Sequence, residues 1–481
     1  MKLIQIFIFL FSCAITLSAD NFKEQQKNSI LRLTVTFQTA SHYYPWRHNA
    51  PSSRSGQGLV IGKNRILTLA TLVYQARLVE ARLNAEPSPI VLKIIYTDLD
   101  RNIAVLEGDL PSEAQIIDIP QTSGFKASQK IQYFWKTDTG RFLEGSATFD
   151  QAESYRLSPS FQSQIWYSCS NPTTGGGYGE PVYYDKKLVG IAVYGDESRI
   201  SILQNETIHK SLNILKDKKN LTSMMGFVTS PCTQKYLRME NNLKPTDGGC
   251  YVNKTFGQGC GSKTIKKGDI LLKIGDHKLD AWGRYNHPRY ENINFTHLIG
   301  NYTFGEKIIA TLMREGKLQT VELDPGIIDD SKWLIPRNRI GKQSKYFITG
   351  GFIFQKLSIP YLKAWGSSWE SKAPENILTI LGENRFKLRS EEKQDIVVLS
   401  HILAHPINRA IQYIGRQVIT SVNGNPLKGL KELHEIFARN DEKLTLTLSP
   451  GDVPVIISPK ALNQTNDKIQ EMYHIPNLEN L

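Results

Sequence analysis

The sequence has few cysteines, few long apolar runs and no dense cluster of like charges. Five of its 481 residues are cysteine, and no C-x-x-C pair or Cys/His set at zinc spacing occurs, so we predict no metal site. Lys and Arg outnumber Asp and Glu by 58 to 46, giving a net charge of +12, but no run of five basic residues occurs. We therefore expect the positive charge to be spread over the surface, without a specific nucleic-acid partner.

Residues 1–19 have the composition of a leader. A basic start is followed by the apolar run Leu3–Leu17 and by small residues before Asp20, which is typical of a secretory signal peptide. The alternative is a loose lipobox at Leu10-Phe-Ser-Cys13, and we expect membrane association only if Cys13 is lipidated. No later segment reaches the about 18 apolar residues that a membrane-spanning helix requires. We expect an exported protein whose mature chain begins near Asp20.

Four cysteines lie beyond the leader. In an exported protein an even set of cysteines can form disulfides, but the spacing does not determine which of them pair. They are Cys169, Cys232, Cys250 and Cys260.

Residues 20–215 contain a regular series of predicted strands. Apolar and β-branched runs such as Ile30–Phe37, Ile90–Tyr96 and Lys187–Tyr194 recur at short intervals between turn residues. This rhythm is typical of an antiparallel fold of two β-barrels.

Three segments in this region share an order and spacing with known catalytic motifs. They are Ser55-Gly-Gln-Gly and the residues up to Val73, then Asn102-Ile-Ala-Val-Leu, then Gly175-Gly-Gly-Tyr-Gly-Glu-Pro-Val-Tyr. They resemble the segments that carry histidine, aspartate and serine in the HtrA/DegP family of trypsin-like serine proteases. The resemblance implies a trypsin-like double β-barrel, with Thr71, Asn102 and Tyr178 at the three catalytic positions.

None of the residues at these positions can perform the chemistry of a serine protease. Thr71 has no basic nitrogen, Asn102 cannot carry a negative charge, and Tyr178 has no neighbouring base to activate its phenol. Glu180 replaces a glycine of the family motif and places a carboxylate beside a developing oxyanion, where negative charge opposes catalysis. The sequence therefore predicts a protease fold without protease chemistry.

The loop before Tyr178 is interpreted as the relic of an oxyanion hole, formed by Gly176 and Gly177. We expect the Tyr178 ring to fill the pocket that a substrate side chain would occupy. A substitute nucleophile or base is not evident, because Cys169 lies in an apolar strand and His209 follows the last strand of the domain. We expect no catalytic residues and no cofactor.

Residues 222–325 resemble a PDZ domain. Ile265-Lys-Lys-Gly-Asp-Ile-Leu-Leu-Lys-Ile-Gly-Asp is similar to the L-x-x-G-D signature of that family. The resemblance implies that the preceding Met224-Met-Gly-Phe-Val is a loop whose N–H groups capture the carboxylate of a peptide, while the next strand pairs with it. The implied peptide-binding residues are Met225, Gly226, Phe227 and Val228.

Residues 345–481 carry a second PDZ-like pattern. Tyr346–Leu357 contains a predicted groove strand, and Val418–Leu433 ends in an amphipathic helix. Gly350-Gly-Phe-Ile-Phe followed by Pro360-Tyr-Leu resembles the C-terminal PDZ module of DegP-like proteases of plants and some bacteria. The predicted fold class is mainly β, with a trypsin-like double β-barrel followed by two PDZ-like α+β domains.

Three functions are compatible with these features. We favour an exported, catalytically inactive HtrA-like protein of protein quality control, which binds unfolded proteins or C-terminal peptides through its PDZ grooves. The second is an active serine endopeptidase with a non-standard site, and the third is a structural subunit of an oligomer with an active relative. The resemblance implies a trimer-based homo-oligomer or a hetero-oligomer, in a bacterial periplasm or cell envelope.

Overall fold

The computed structural model describes residues 21–481 except for 123, 125, 174–175, 338–340, 342, 440–441 and 450–452. The predicted leader at residues 1–19, with Cys13, lies outside the described residues.

The chain divides into two compact units. Unit 1 consists of the described residues up to Phe37 together with Ser52–Ile328, and unit 2 consists of Gln38–Pro51 and Asp329–Leu481. Unit 1 thus contains the residues predicted as a protease-like domain and a first PDZ domain, apart from 38–51. The individual boundaries 20–215, 222–325 and 345–481 stay predictions.

Unit 1 begins with helix α1, which covers residues 21–29 of the described chain, and a first sheet of seven strands. The strands are β1 Ile30–Phe37, β2 Ser52–Gly62, β3 Arg65–Leu69, β4 Ala76–Arg82, β5 Ile90–Val91, β6 Lys93–Asp98 and β7 Ile103–Glu107, with the short helix α2, Ala70–Val73, after β3. They run in the order β5-β4-β1-β2-β3-β7-β6. Alternation in β1 buries Leu31, Leu33 and Val35, as expected for strands that cover a core with one face.

A closed barrel follows the first sheet. Its strands are β8 Lys130–Lys136, β9 Phe142–Tyr155, β10 Gln164–Ser170, β11 Pro181–Tyr184, β12 Lys187–Gly195 and β13 Arg199–Gln204, followed by α3, Asn205–Lys216, and a 3₁₀ turn, Lys218–Asn220. They close in the order β10-β13-β12-β11-β8-β9. The prediction of a mainly β chain is confirmed.

The last sheet of unit 1 contains the predicted PDZ signature that begins at Ile265, and this signature includes the central strand of the sheet. Its strands are β14 Phe227–Pro231, β15 Cys250–Thr255, β16 Ile270–Ile274, β17 His277–Lys278, β20 Ile308–Arg314 and β21 Lys317–Leu323, with α4 at Lys235–Glu240. They run in the order β14-β15-β16-β20-β21, with β17 on β16. A separate hairpin, β18 Arg284–Asn286 and β19 Asn292–Asn294, precedes two 3₁₀ turns, Phe295–His297 and Ile299–Asn301.

The Gly-Asp pair of that motif has a structural role. The buried carboxylate of Asp269 accepts two hydrogen bonds from the Arg314 guanidinium, from Nε to Oδ1 and from Nη2 to Oδ2, each at 2.7 Å. Gly268 has φ +97°, a backbone conformation that favours glycine. This bidentate pair ties the start of β16 to the end of β20.

Unit 2 has one eight-stranded sheet. Its strands are β22 Tyr346–Thr349, β23 Phe352–Lys356, β24 Val397–Ile402, β25 Gln417–Val422, β26 Asn425–Pro426, β27 Leu444–Ser449, β28 Val453–Ile457 and β29 Glu479–Asn480. Its helices are α5 Ile359–Lys363, α6 Trp369–Lys372, α7 Glu375–Asn384, α8 Leu430–Arg439, α9 Pro459–Asn463 and α10 Asn466–Tyr473, with 3₁₀ turns at Asp330–Lys332 and Pro406–Ile414. The sheet runs in the order β28-β27-β25-β24-β23-β22-β29, with β26 on β25.

The segment Gln38–Pro51, which connects β1 to β2, is part of unit 2. Trp46 is buried in a cluster with Ile348 and Ile353, and the Trp46 and Tyr346 ring centroids are 6.5 Å apart. The segment thus contributes to the core of the C-terminal unit, although the sequence places it between two strands of the first sheet.

Candidate functional site

The three positions predicted to correspond to a catalytic triad lie close together in unit 1. The backbone N–H of Thr71, in α2, donates to Oδ1 of Asn102 at 2.8 Å. Thr71 and Tyr178 both line a cavity of about 360 Å³, which is also bordered by Gly176 and Gly177. The spacing of the sequence motifs therefore corresponds to a spatial cluster.

Asn102 has a structural role in this cluster. It adopts φ +57° between β6 and β7, and its own carbonyl accepts the N–H of Ala70 at 3.2 Å. Its buried Nδ2 has no hydrogen-bond partner among the described residues. The amide thus caps the first turn of α2, and it provides no negative charge to orient a base.

Glu180 occupies the hydrogen-bond donors of the loop. Its side chain is buried, with the residue 3% exposed. Oε2 accepts the N–H of Gly177 at 2.9 Å and the N–H of Tyr178 at 2.7 Å. An oxyanion hole requires such donors to face the reacting oxygen, and here a carboxylate of the chain itself takes the N–H at the nucleophile position.

Burial raises the pKa of Glu180 above its ordinary value, while the backbone N–H groups, including those of Tyr178 and Gly177, oppose that rise. The raised direction follows from the cost of keeping a charge away from water. An ionised Glu180 therefore depends on these donors for compensation.

The same loop is pressed against β12 and β2. A Cβ atom on Gly177, which has φ +106°, would lie 2.4 Å from the nitrogen of Gly195. On the other side, the carbonyl of Tyr178 accepts the N–H of Gln57 at 2.7 Å. The loop is thus fixed between strands of the first sheet and strands of the barrel.

The Tyr178 side chain does not fill a pocket. It is 57% exposed, so our expectation that its ring occupies the former substrate pocket is wrong. Tyr178 is among the residues that line the cavity, but more than half of its surface is open to solvent.

The alternative nucleophile, Cys169, and the alternative base, His209, do not line this cleft. Cys169 is fully buried, and burial raises the pKa of its thiol to about 12. His209 places Nε2 2.9 Å from the carbonyl oxygen of Ile119. Neither residue is among those that line the cavity.

Two residues, one lining the cleft and one beside its glycine-rich loop, were not evident from the sequence. Arg54 lines the cavity and donates from Nε to the carbonyl of Leu72 at 2.7 Å. Gln57 joins the two β structures, because Nε2 donates to the carbonyl of Lys136 at 3.0 Å and Oε1 accepts the N–H of Lys136 at 3.0 Å. A polar residue inside the glycine-rich strand was the one signal for Gln57.

The predicted peptide-binding segment, Met225 to Val228, begins just before β14 and continues into that strand. The N–H of Gly226 donates to the carbonyl of Cys260 at 2.9 Å. A Cβ on Gly226 would lie within 2.8 Å of three carbonyl oxygens, from Gln258, Gly259 and Cys260. These oxygens belong to the neighbouring segment 258–260, which also pairs with the Gly226 N–H, and the capture of a carboxylate by this loop stays a prediction.

The strand after the loop has the geometry for pairing with a peptide. Among the described strands, β14 pairs only with β15 and so forms an edge of its sheet. Val228 on β14 is 37% exposed, whereas Phe227 is buried in the core. Met225 makes an isolated parallel bridge with Cys260. The edge of β14 therefore has the geometry that strand addition requires.

Three histidines that are separate in the sequence lie around one tyrosine of unit 1. His277 and Tyr285 have ring centroids 4.5 Å apart, and Nε2 of His297 lies 3.0 Å from the Tyr285 hydroxyl. The ring centroids of His287 and Tyr285 are 5.8 Å apart. No set of three or more His, Cys, Asp or Glu side chains in the described part of the chain is arranged to hold a metal ion.

The four cysteines beyond the leader are buried free thiols in this structure. No helix among the described residues combines the length and apolar character needed to cross a membrane.

Comparison with known families and proteins gives matches over most of the chain. A PDZ-domain family model matches residues 335–479. Protease Do-like 2, chloroplastic, of Arabidopsis thaliana is 23% identical over 93% of this chain and 74% of its own length. Protease Do-like 4, mitochondrial, of the same plant is 22% identical over 93% of this chain and 84% of its own length.

A solved structure supports the fold assignment. An HtrA-type protease, an AlgW variant with a decapeptide, covers 64% of this chain and 97% of its own length, with a TM-score of 0.51 and 12% identity. The trypsin-like fold with PDZ domains is thereby confirmed.

Restoring the triad alone should not restore a working site. In the variant Thr71→His/Asn102→Asp/Tyr178→Ser, Glu180 still occupies the N–H of residue 178, so acylation of the serine lacks that donor. Adding Glu180→Gly should raise the rate of fluorophosphonate labelling by about 10²-fold, which is the typical contribution of one oxyanion donor.

The matched control for this experiment carries Tyr178→Ala with the other three changes and should show no labelling. Equal labelling rates with and without Glu180→Gly, including no labelling in either, would contradict the role given to Glu180.

The raised pKa of Glu180 predicts a pH-dependent stability. As pH rises from about 4.3, the ordinary glutamate value, through the raised value, the unfolded chain releases this proton before the folded chain does. The free energy of unfolding should therefore fall with rising pH, by at most about 1.4 kcal/mol per pH unit from this group. Urea titrations should show that Glu180→Gln removes this fall.

The exposed Glu197→Gln, in the same barrel, is the control for loss of a carboxyl group and should leave the pH profile unchanged. A profile of Glu180→Gln that is parallel to that of the native protein would contradict the prediction.

Proposed function

We propose that this homologue of the HtrA/DegP-family proteases is a catalytically inactive protein that binds extended peptides or unfolded proteins. The observation that carries the proposal is the carboxylate of Glu180 on the N–H of Tyr178. An enzyme of the serine-protease type needs that donor for the oxyanion, and it needs a base that Thr71 cannot provide.

Two features of the cleft support the absence of catalysis. The buried Asn102 amide caps α2 and holds no charge. Gly177 packs against the backbone of Gly195, and its N–H donates to the Glu180 carboxylate together with that of Tyr178. An active endopeptidase with a non-standard site is the alternative, and the buried high-pKa thiol of Cys169 speaks against the nucleophile considered for it.

Peptide binding is supported by the free edge of β14. An extended peptide can add to such an edge through backbone hydrogen bonds, while side-chain contacts supply specificity. The exposed Val228 provides an apolar contact on that strand. Because Gly226 faces carbonyl oxygens, we expect internal segments of unfolded proteins to bind at least as well as C-terminal peptides.

Location and assembly remain parts of the proposal. The composition of residues 1–19 favours export, with the periplasm or cell envelope as the proposed site. The relatives described as chloroplastic and mitochondrial carry those names for their own locations. Assembly as a trimer, or with an active relative as a structural subunit, is testable by light scattering of the purified chain.

The absence of catalysis is tested with casein as an unfolded substrate. We expect the purified protein neither to cleave casein nor to react with a fluorophosphonate probe. The Tyr178→Ala variant should behave identically in both assays. Cleavage together with labelling would establish a different serine and contradict the proposal, whereas cleavage without labelling that every variant shares would identify a contaminant.

Binding is tested with fluorescently labelled casein by anisotropy. Val228→Asp should weaken binding by at least about tenfold, because it places a charge on the edge that pairs with the peptide. Leu318→Asp is the matched control, since Leu318 is 65% exposed on β21 at the opposite edge of the same sheet. Equal affinity of both variants and the native protein would contradict binding at β14.

A further inference from the structure

The PDZ-like sheets of the two units have the same strand order from one edge but differ at the other. In unit 1 the order is β21-β20-β16-β15-β14, and in unit 2 it is β28-β27-β25-β24-β23. A short strand pairs off the path in both sheets, β17 on β16 and β26 on β25. This correspondence equates β14 with β23, so β22 lies where a peptide added to β14 would lie.

The strand β22 is a permanent occupant of that position. It is joined to β23 by a tight turn at Gly350 and Gly351, with φ +55° and +86°. The Phe347 ring is buried 4.8 Å from Phe354 of β23 and 5.7 Å from Phe437 of α8, between ring centroids. Displacing β22 would expose this part of the core, so the inner groove of unit 2 is filled by the chain itself.

The outer edge of β22 is paired with residues near the end of the sequence. Tyr346 and Phe347 pair with Asn480 and Glu479 in antiparallel register. The N–H of Ile348 donates to the carbonyl of Leu478 at 2.7 Å. This is the pairing that a bound peptide makes with an edge strand.

Two basic side chains contact the same segment. His434 of α8 places Nε2 2.7 Å from Oε2 of Glu479. Lys345 donates from Nζ to the carbonyl of Leu481 at 2.5 Å. The edge therefore suits an extended segment with an acidic side chain facing α8.

The segment is also anchored by side chains, because the Tyr346 hydroxyl donates to the carbonyl of Asn477 at 2.9 Å and Nδ2 of Asn480 donates to the carbonyl of Ser344 at 3.0 Å. It is nonetheless short and partly exposed. Its strand β29 has two residues, and Glu479 and Leu481 are exposed. A cavity of about 590 Å³ borders it, lined by polar groups that include Asn463, Asn466 and Gln470. Solvent thus reaches the edge beside the segment, and an incoming strand has access to it.

We infer that the outer edge of β22 is a peptide-addition site, that residues 477–481 occupy it as a built-in ligand, and that an external extended peptide with an acidic residue facing His434 competes with them. The inference rests on the proposed peptide-binding function and adds to it a second site, with its own competitor. The site differs from the β14 edge in unit, strand and charge preference.

The test uses a labelled synthetic peptide with the sequence of residues 474–481 as the probe. It should bind the full chain lacking residues 477–481, and the native chain at least about tenfold more weakly, because the tethered segment competes at high effective concentration. A probe with lysine at the position of Glu479 should bind neither. Equal binding of the first probe to both chains, or no binding to a folded shortened chain, would overturn the inference.

A second variant keeps the test decisive if the shortened chain does not fold. Glu479→Lys in the full chain removes the carboxylate that contacts His434 and should open the edge to the probe, whereas Glu471→Lys on α10 should not. If neither the shortened chain nor Glu479→Lys gains probe binding, the inference fails.

Parallel casein binding separates this failure from failure of the proposed function. Val228→Asp should leave binding of the probe unchanged while it weakens casein binding. Loss of probe binding in Val228→Asp would place the probe on β14 and overturn the inference, and casein binding that persists without probe binding would leave the proposed function standing.

Discussion

The state of the cleft depends on the hydrogen bonds between the buried Glu180 carboxylate and the N–H groups of Gly177 and Tyr178. A buried carboxylate needs donors, and these two supply them. Because the Tyr178 N–H lies at the predicted nucleophile position, where it would have to face a substrate oxyanion, the same interaction that stabilises the loop underlies the proposed loss of catalysis. The hydrogen bond from Gln57 to the Tyr178 carbonyl fixes the loop from the opposite side.

The positions of the backbone segments around this site were predictable from the sequence, because each motif lies next to a strand that the sequence pattern identifies. Thr71 follows β3 within a short apolar run and Asn102 precedes β7, and antiparallel pairing of β3 with β7 brings them together. The direction of the Glu180 side chain was not predictable, because it depends on which donors the folded loop offers. The exposure of Tyr178 was likewise not evident from the sequence, because it depends on the conformation of the folded loop.

In the PDZ-like domains, too, features that depend on nearby residues were predictable from the sequence, whereas contacts between distant segments were not. Strand patterns and the Gly-Asp motif predicted the elements, since they depend on periodicity and on the Asp269–Arg314 pair. The edges were not predictable, because pairing of β22 with β29 joins segments that periodicity does not relate. Among the described strands, one domain consequently keeps an edge strand that pairs on one side, whereas the other covers the equivalent strand with residues of its own.

Hydrogen exchange at the backbone N–H of Tyr178 is the most direct test of this account. If Glu180 holds that N–H, exchange in the native protein should be slow, as for a buried hydrogen-bonded amide, and Glu180→Gly should accelerate it while the amides of β12 stay protected. Fast exchange at Tyr178 in the native protein would mean that the donor faces the solvent, and the central claim of an internally occupied oxyanion loop would be contradicted.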